Sequence, residues 1–318
     1  MPKVSVIVPI YNAEKYIERC LISLFEQTLK DIEYIFVNDC TPDASMQILQ
    51  SLLERYSHRR NQVIIIDHKK NEGQAGARAS GMKAMTGEYM IHCDPDDWVD
   101  KDIYEILYTE AINSNSDIIC CNWCIEKNNT TIKQKIGYAS SPQKSLIECR
   151  YNPSLWNKLI RTEIIKNNSI YPYSGINCGE DLNVVIRSFH YAKSLKYVDI
   201  YPYHYMMDNT NSITHTNHKK QFYLSHKPNV ENICNFLEDN DVDNNYIILK
   251  NYIKFIEKYG LISKSCKDFN LWCKTWPECH KYIKFFPMPT RLKRILSMLA
   301  NHPILLKFYF NYLWWRTK

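Results

Sequence analysis

Three aspartates fall within four consecutive positions of the chain, at Asp94, Asp96 and Asp97. Carboxylates this close repel one another, so the cluster is costly unless a cation neutralises it. Mg²⁺ and Mn²⁺ suit such a position, because hard divalent ions take carboxylate and phosphate oxygens as ligands. The cluster therefore predicts a divalent metal site. The alternative is a solvated turn in which Asp97 caps the next helix.

The elements around this cluster alternate between short β-rich runs and helical patterns over the first 120 residues. Apolar runs predict the strands, and apolar residues spaced by three or four positions predict the helices between them. Such alternation indicates right-handed βαβ units and a parallel sheet covered on both faces. Predicted strands cover residues 4–10, 32–37, 63–66, 89–93 and 117–123, and predicted helices cover 13–27, 43–56, 73–85 and 101–112. Asp43 is the predicted cap of the second helix. Further along the chain, residues 125–138 predict a hairpin around Asn128 and Asn129, and residues 196–206 predict a strand.

Polar residues follow each of the first four predicted strands, where ligands of such sheets bind. An ionised carboxylate only accepts hydrogen bonds, so Asp39 after the second strand suits the N3–H of uracil or thymine. Tyr11 after the first strand offers a flat face on which a base can stack. Arg78, on the helix after the third strand, is suited to a base or a phosphate. The alternatives are a turn aspartate for Asp39 and ordinary packing at the sheet edge for Tyr11, and a lone arginine is a weaker signal than either.

This ordered series of strand ends resembles the nucleotide-sugar-binding half of the family 2 glycosyltransferases of the GT-A fold, over residues 3–215. The resemblance implies an α/β GT-A domain: a Rossmann-like mixed, mainly parallel sheet with helices on both faces, followed by a C-terminal helical region. We place the catalytic domain at residues 1–215, with 1–123 binding the nucleotide sugar and 124–215 the acceptor. The helical region is placed at 216–318.

The same resemblance implies roles for the donor-side residues. Asp96 contacts Mn²⁺ or Mg²⁺, and Asp94 lies beside the ribose and is a second candidate ligand. A metal that bridges two phosphates stabilises a departing nucleoside diphosphate. The residues expected to bind the nucleotide sugar are Pro9, Tyr11, Asp39, Asn71, Gly73, Arg78, Asp94 and Pro95.

The acceptor side is expected from two further motifs. Glu180 and Asp181 open a predicted helix and resemble the family's Glu-Asp pair, in which the Asp is the general base. Inverting transfer needs a carboxylate beside the acceptor hydroxyl, so we assign Asp181 as base and Glu180 as its positioning partner. The alternative is a pair of acids favoured by the helix dipole. Trp156, Asn157 and Lys158 match a family segment near the acceptor; the alternative is a strand with one buried Trp.

A third stretch, residues 203–205 followed by 212–214, resembles the segment that closes over the donor phosphates. Family members often carry an Arg after the aromatic pair, whereas this chain has Met206. The departure removes the charge contact expected from this loop. His204 is then a candidate ligand of the metal or the phosphate, since imidazole serves either, although a lone His usually has a more ordinary role.

The C-terminal region holds most of the positive charge. Residues 281–318 contain eight Lys or Arg and no Asp or Glu, and because the whole chain carries +6, the remainder carries −2. Residues 291–300 form a basic amphipathic helix, and the apolar run after it is too short and interrupted to span a bilayer. We expect a peripheral contact with an anionic membrane surface, or else packing on the catalytic domain. No recognised module indicates a nucleic-acid partner.

Twelve cysteines and no secretory signal predict reduced thiols and a cytoplasmic protein, peripheral on the inner face of the cytoplasmic membrane. Cys121 and Cys124 form a CxxC pair, but no second pair lies at zinc-ribbon spacing. Buried strand cysteines are the expectation here.

The function expected is transfer of a sugar, with inversion, from a UDP-sugar to a hydroxyl on a growing or lipid-linked glycan in bacterial surface polysaccharide synthesis. One alternative is a nucleotidyltransferase, which normally shows a Gly-rich phosphate loop after the first strand; residues 9–12 lack it. Another is a non-catalytic nucleotide-sugar-binding module, which would lack the base at Asp181. The identity of the sugar depends on pocket shape.

Overall fold

The computed structural model describes residues 1–209, 224–241, 244–263 and 266–316. The chain divides into two compact units, residues 1–143 with 151–209 and residues 144–150 with 210–318. The domain boundary expected near residue 216 lies outside the described residues.

The first unit alternates strands and helices. Its strands are β1 (Val4–Ile10), β2 (Ile32–Asn38), β3 (Val63–Asp67), β4 (Tyr89–His92), β5 (Trp98–Val99), β6 (Ile118–Cys121), β7 (Trp123–Lys127), β8 (Thr130–Gln134), β9 (Lys158–Arg161), β10 (Leu195–Val198) and β11 (Tyr203–Met206). The helices up to residue 209 are α1 (Ile17–Phe25), α2 (Ser45–Arg55), α3 (Gly73–Ala84), α4 (Ile103–Ser114), α5 (Pro142–Ile147), α6 (Thr162–Asn167) and α7 (Glu180–Tyr191).

A seven-stranded sheet in the order β10-β6-β9-β4-β1-β2-β3 forms the core of this unit. All seven residues of β1 are buried, because a central parallel strand is covered by helices on both faces. Val4 of β1 pairs with Ile32 of β2 on one side and with Tyr89 of β4 on the other, both in parallel register. The sheet is mixed and mainly parallel, as expected.

β9 is the reversed strand of this sheet, antiparallel to both of its neighbours, β4 and β6. Lys158, the first residue of β9, pairs with Cys120 near the end of β6. The start of β9 therefore lies at the edge where β4 and β6 end.

A smaller sheet in the order β5-β11-β7-β8 adjoins the main one. Residues 117–123 and 196–206, each expected as part of one strand, instead divide into β6 and β7 and into β10 and β11. Both divisions occur at one crossing point, where the Asn122 backbone N–H donates to Ile200 O at 3.0 Å and its side chain to Asp199 at 2.8 Å. The hairpin expected at Asn128 and Asn129 is confirmed, with φ of 47° and 59°.

The first two helices begin later than the apolar spacing predicts. α1 begins at Ile17, and α2 begins at Ser45 with Ala44 in the cap position. Asp43, the expected cap, accepts from Ser45 N at 3.1 Å and from Glu14 N at 2.9 Å. Its carboxylate thus ties the loop after β1 to the loop after β2.

The second unit is helical. Its described helices are α8 (Lys227–Asp239), α9 (Ile247–Tyr259), α10 (Phe269–Lys274), α11 (Thr290–Leu299) and α12 (Pro303–Arg316). They pack around a core that includes Phe255, Trp272, Leu306 and Phe310. No helix in the described ranges is long and apolar enough to cross a bilayer.

All twelve cysteines lie in the described ranges and are free thiols. Cys121 and Cys124 are buried on strands of different sheets, so the expectation of buried strand cysteines is confirmed. Cys20 Sγ and Cys93 Sγ lie 3.8 Å apart in the core.

Lys158 carries a buried charge at the start of β9. Its Nζ donates to Ser154 O at 2.7 Å and to Asn157 Oδ1 at 2.6 Å. Burial lowers the pKa of this ammonium from its ordinary 10.5 to about 8, and the nearby Cys120 opposes the shift. The folded protein therefore holds this proton less tightly than the unfolded chain does.

Because the unfolded chain binds the additional proton between pH 8 and 10.5, the contribution of Lys158 to stability rises with pH across that window. We expect the unfolding free energy of the wild type to rise relative to that of Lys158→Met by about 1.4 kcal/mol per pH unit above pH 8. Urea denaturation of both proteins from about pH 7 to about pH 10 measures this difference. A constant difference over that range would show that the ammonium keeps its ordinary pKa.

Candidate active site

The guanidinium of Arg78 lies at the centre of the candidate site and is 1% exposed. Its Nη2 donates to Asp94 Oδ1 at 2.7 Å, and its Nη1 donates to Glu180 Oε1 at 3.2 Å. The same Nη1 contacts Asp181. Three carboxylates, one from the end of β4 and two from the start of α7, therefore converge on one cation.

These charges stabilise one another in a buried setting. Burial alone would lower the pKa of Arg78, but Asp94 and Glu180 raise it, and the net shift is upward. Burial raises the pKa of Glu180, and Arg78 opposes that shift. Removing one partner of such a buried group leaves uncompensated charge, at a cost of about 3–5 kcal/mol.

Two glycines allow α3 to carry Arg78 into this position. Gly73 begins the helix with a φ of +78°, a conformation that side chains with a Cβ rarely adopt. A Cβ on Gly81 would lie 2.5 Å from Ile7 Cγ2 of β1, so only glycine lets the helix pack this closely on the sheet. Asn177, just before α7, accepts from Ala75 N at 3.2 Å and connects the two helix starts.

Asp39 lies at the end of β2 and is 2% exposed. Its two oxygens accept from the backbone N–H groups of Glu72 and Gly73, both at 2.8 Å. His68 Nδ1 lies 2.8 Å from the same carboxylate, and its Nε2 lies 2.9 Å from Ser80 Oγ. Asp39 thus connects β2 to α3, and its contact with a uracil base stays a prediction.

His68 was not expected from the sequence. It directly follows β3, and a polar residue at a strand end is the same signal that identifies Asp39 and Asp94. One ring nitrogen of His68 contacts Asp39 and the other contacts Ser80, so the ring is fixed and positions the Asp39 carboxylate.

The remaining donor-side residues lie on the same loops. Tyr11 follows β1 and is 45% exposed, so its ring is available for stacking. Asn71 accepts from Gly73 N at 3.0 Å. Pro9 is buried within β1, and Pro95 is half-buried between the two candidate metal ligands.

Asp96 is the carboxylate best placed to hold a cation. Burial and the charge of Asp94 raise its pKa, and a 2.8 Å hydrogen bond from Asn209 opposes that shift. Arg19 donates to the backbone oxygen of Asp96 at 3.3 Å, not to its carboxylate. The Asp94 and Asp96 carboxylates are neighbouring hard oxygen donors that repel each other. Such a pair fits a divalent ion such as Mn²⁺ or Mg²⁺.

Asp97 has different surroundings from its neighbour, and the alternative in which it caps the next helix is wrong. It is fully buried and accepts from Tyr203 Oη at 2.6 Å and from Met206 N at 2.7 Å. The next helix, α4, begins at Ile103 with Asp102 in the cap position. Asp97 therefore anchors β11, the strand of the smaller sheet that follows β10.

The predicted acceptor-side residues Trp156, Asn157 and Lys158 are buried at the start of β9. The Trp156 ring stacks on Tyr203, with ring centroids 4.3 Å apart at 10°. Asn157 Nδ2 donates to Cys121 O at 3.3 Å. These contacts hold the edge of the site, and contact with an acceptor stays a prediction.

The backbone just before these residues reaches the predicted base directly. Leu155 N donates to Asp181 Oδ2 at 3.3 Å. The start of β9 and the start of α7 thus meet at Asp181, which is about one-fifth exposed.

His204 lies on β11 and stacks on Trp98, with centroids 4.9 Å apart. Its Nδ1 lies 2.8 Å from Glu126 Oε1, and its Nε2 lies 3.2 Å from Asp100 Oδ1. The described residues place it in a cluster with Cys124 and Glu126, and Asp96 is not in that cluster. Its contact with the catalytic metal stays a prediction, and residues 212–214 of the same predicted segment lie outside the described residues.

Solved structures with the same fold are glycosyltransferases. The structure of residues 1–349 of TarS from Staphylococcus aureus with UDP-GlcNAc has a TM-score of 0.68 and 21% identity, covering 97% of this chain and 89% of that one. A Pyrobaculum calidifontis mannosyltransferase, solved with GDP-Man and Mn²⁺, has a TM-score of 0.56 and 11% identity, covering 96% of this chain and 86% of that one. At these identities the likeness shows the fold alone.

Sequence comparison gives the family. EpsH of Bacillus subtilis is 32% identical over 281 residues, which cover 85% of this chain and 78% of EpsH. The model of glycosyl transferase family 2 matches residues 5–175. The resemblance drawn from the strand-end residues is thereby confirmed: this chain belongs to glycosyl transferase family 2 and is a glycosyltransferase with the GT-A fold.

Proposed function

We propose that the protein transfers a hexose or N-acetylhexosamine from a UDP-sugar, with inversion, to a hydroxyl of a growing glycan in bacterial surface polysaccharide synthesis. UDP is supported by the TarS structure with UDP-GlcNAc. TarS is named a poly(ribitol-phosphate) beta-N-acetylglucosaminyltransferase, which supports a cell-envelope acceptor.

One observation carries the proposal: Asp94 from the donor half and Glu180 with Asp181 from α7 meet on the same buried arginine. An enzyme that joins two substrates must hold its donor-binding and proton-accepting groups at a fixed separation. The Arg78 guanidinium supplies that fixed separation, because its planar fork orients the groups it binds.

The donor is bound at the carboxyl ends of β1 to β4. Tyr11 stacks on the base, and Asp39, held by His68 and two backbone N–H groups, accepts from the uracil N3–H. Cytosine has no proton at N3, so the same carboxylate selects against it. The ribose lies toward Asp94.

Asp96, with Asp94 beside it, would hold Mn²⁺ or Mg²⁺. When bound, the ion neutralises charge on the leaving diphosphate. Asn209 orients the Asp96 carboxylate by donating to one of its oxygens at 2.8 Å. The mannosyltransferase of the same fold was solved with GDP-Man and Mn²⁺, which supports a divalent metal in the reaction.

Asp181 is the proposed base that removes the proton of the acceptor hydroxyl. Its carboxylate contacts Nη1 of Arg78 on one side. Leu155 N holds Oδ2 at 3.3 Å and so orients the group. Glu180, 6% exposed and bound to Arg78, positions the start of α7.

The acceptor is proposed to be a glycan, carried on a lipid at the inner face of the cytoplasmic membrane. Family membership decides against the nucleotidyltransferase alternative. The Asp181→Asn variant below distinguishes a catalyst from a non-catalytic nucleotide-sugar-binding module, because it measures UDP binding and transfer separately.

Replacing the base separates binding from chemistry. We expect Asp181→Asn to lower the transfer rate by about 10²- to 10⁴-fold while UDP affinity stays within about threefold of wild type. Release of UDP in the presence of donor and acceptor, with calorimetry for UDP binding, measures both. Glu163→Gln, which neutralises an exposed acid in the first turn of α6, is the matched control and should leave the rate unchanged. Unchanged transfer in Asp181→Asn would exclude Asp181 as the base.

Replacing the metal ligand tests the donor side. Wild-type protein should bind UDP more tightly when Mn²⁺ is added. In Asp96→Asn this Mn²⁺-dependent increase in UDP affinity should be at least about tenfold smaller. Asp102→Asn, a neighbouring aspartate with no side-chain cap hydrogen bond, should keep it. Calorimetric titrations of UDP with and without Mn²⁺ measure the effect. An equal gain in the wild type and in Asp96→Asn would mean that the ion binds elsewhere.

A further inference from the structure

Helix α12 carries large apolar side chains on more than one side, yet only one side of it is buried. Leu306 and Phe310 pack into the core of the second unit. On the other side, large apolar side chains are between 50% and 72% exposed; they are Ile304, Leu305, Phe308, Tyr312 and Trp315, here called the α12 stripe. A helix that is apolar all round is normally buried on all sides.

The α12 stripe is continuous along the helix. At 3.6 residues per turn its five side chains fall within an arc of about 100°, and Leu306 points away from that arc. An arc of this width is the contact face of an amphipathic helix. Contiguous exposed apolar surface of this kind marks a site that another apolar surface covers.

Exposed basic side chains lie on α12 itself and on the helix before it. Lys307 is exposed on α12, and Arg291 and Arg294 are exposed on α11. From residue 281 to 318 the chain has eight Lys or Arg and no acid. A second copy of this chain placed on the stripe would bring these like charges together, whereas an anionic surface neutralises them.

A pocket of about 360 Å³ lies at the N-terminal end of the stripe. Two lysines, Lys267 and Lys307, line it together with Ile304, the first residue of the stripe. Lys267 Nζ lies 5.3 Å from the ring centre of Trp314 on α12. The one acidic residue lining the pocket, Asp268, uses its carboxylate to accept from Leu271 N at 2.9 Å and cap α10.

We propose that the α12 stripe inserts into the headgroup–acyl boundary of an anionic lipid bilayer and that the Lys267–Lys307 pocket binds a lipid headgroup phosphate. Apolar burial and attraction to anionic lipid act together in such contacts. The biological purpose rests on the proposed function, since a lipid-borne acceptor is confined to the same surface. The binding itself does not depend on that function.

Vesicle flotation with the full chain tests the proposal. Wild type should float with phosphatidylcholine vesicles containing about one-third phosphatidylglycerol and at least about tenfold less with phosphatidylcholine alone. Phe308→Ser with Trp315→Ser should lower binding to the anionic vesicles by at least about tenfold. Lys267→Gln with Lys307→Gln should remove most of the preference for phosphatidylglycerol. Ile132→Ser, an exposed apolar residue of β8, is the matched control and should bind as wild type does.

Two results would overturn the proposal. One is equal flotation of the wild type and the Phe308→Ser, Trp315→Ser protein. The other is a wild-type dimer in light scattering that this double variant converts to monomer, which would make the stripe a contact between copies. UDP binding with Mn²⁺ should be the same in the wild type and in every stripe variant. If the proposed function is wrong, calorimetry of UDP binding shows it and flotation is unaffected. If the lipid contact is wrong, flotation shows it and UDP binding is unaffected.

Discussion

A single buried guanidinium holds the site together. Asp94 and Glu180 come from opposite halves of the first unit, and their negative charges would separate them if Arg78 were absent. The local structure serves this one contact: α3 packs on β1 without an intervening side chain at Gly81, and Asn177 connects the start of α3 to the segment before α7. The charge balance and the backbone packing are therefore parts of one arrangement.

Neighbouring carboxylates in the same motif have different roles because their surroundings differ. Asp97 is fully buried, and its oxygens are taken by Tyr203 and by a backbone N–H, so its function is to join two sheets. Asp96, one residue earlier, is half-buried and beside another carboxylate, and the proposed metal site rests on these surroundings. The aromatic stack of Trp156 on Tyr203 extends the Asp97 anchor to the start of β9.

The parallel core and its strand ends could be read from the sequence, because apolar runs and helical spacing are local signals. β1 to β4, with the helices between them, lie where the pattern places them, apart from the later starts of α1 and α2. The direction of β9 could not be read, because it depends on pairing with strands distant in the chain. The same holds for the partners of Asp97 and for the His68 contact with Asp39, which join residues that are 29 or more positions apart. Residue type identified the candidate side chains. Only the folded structure showed that Asp94, Glu180 and Asp181 contact the same guanidinium.

The reversed strand has a consequence for how such an enzyme changes over time. β9 runs antiparallel to β4 and β6, so its first residue lies at the sheet edge where β4 and β6 end. The segment before β9 and the loops after β1 to β4 therefore meet at this edge. Substitutions in residues 151–157, which reach Asp181 through the Leu155 N–H, therefore alter this edge without shifting the register of β1 to β4. Related chains can thus vary this edge of the site while the pairing of the four parallel strands stays the same.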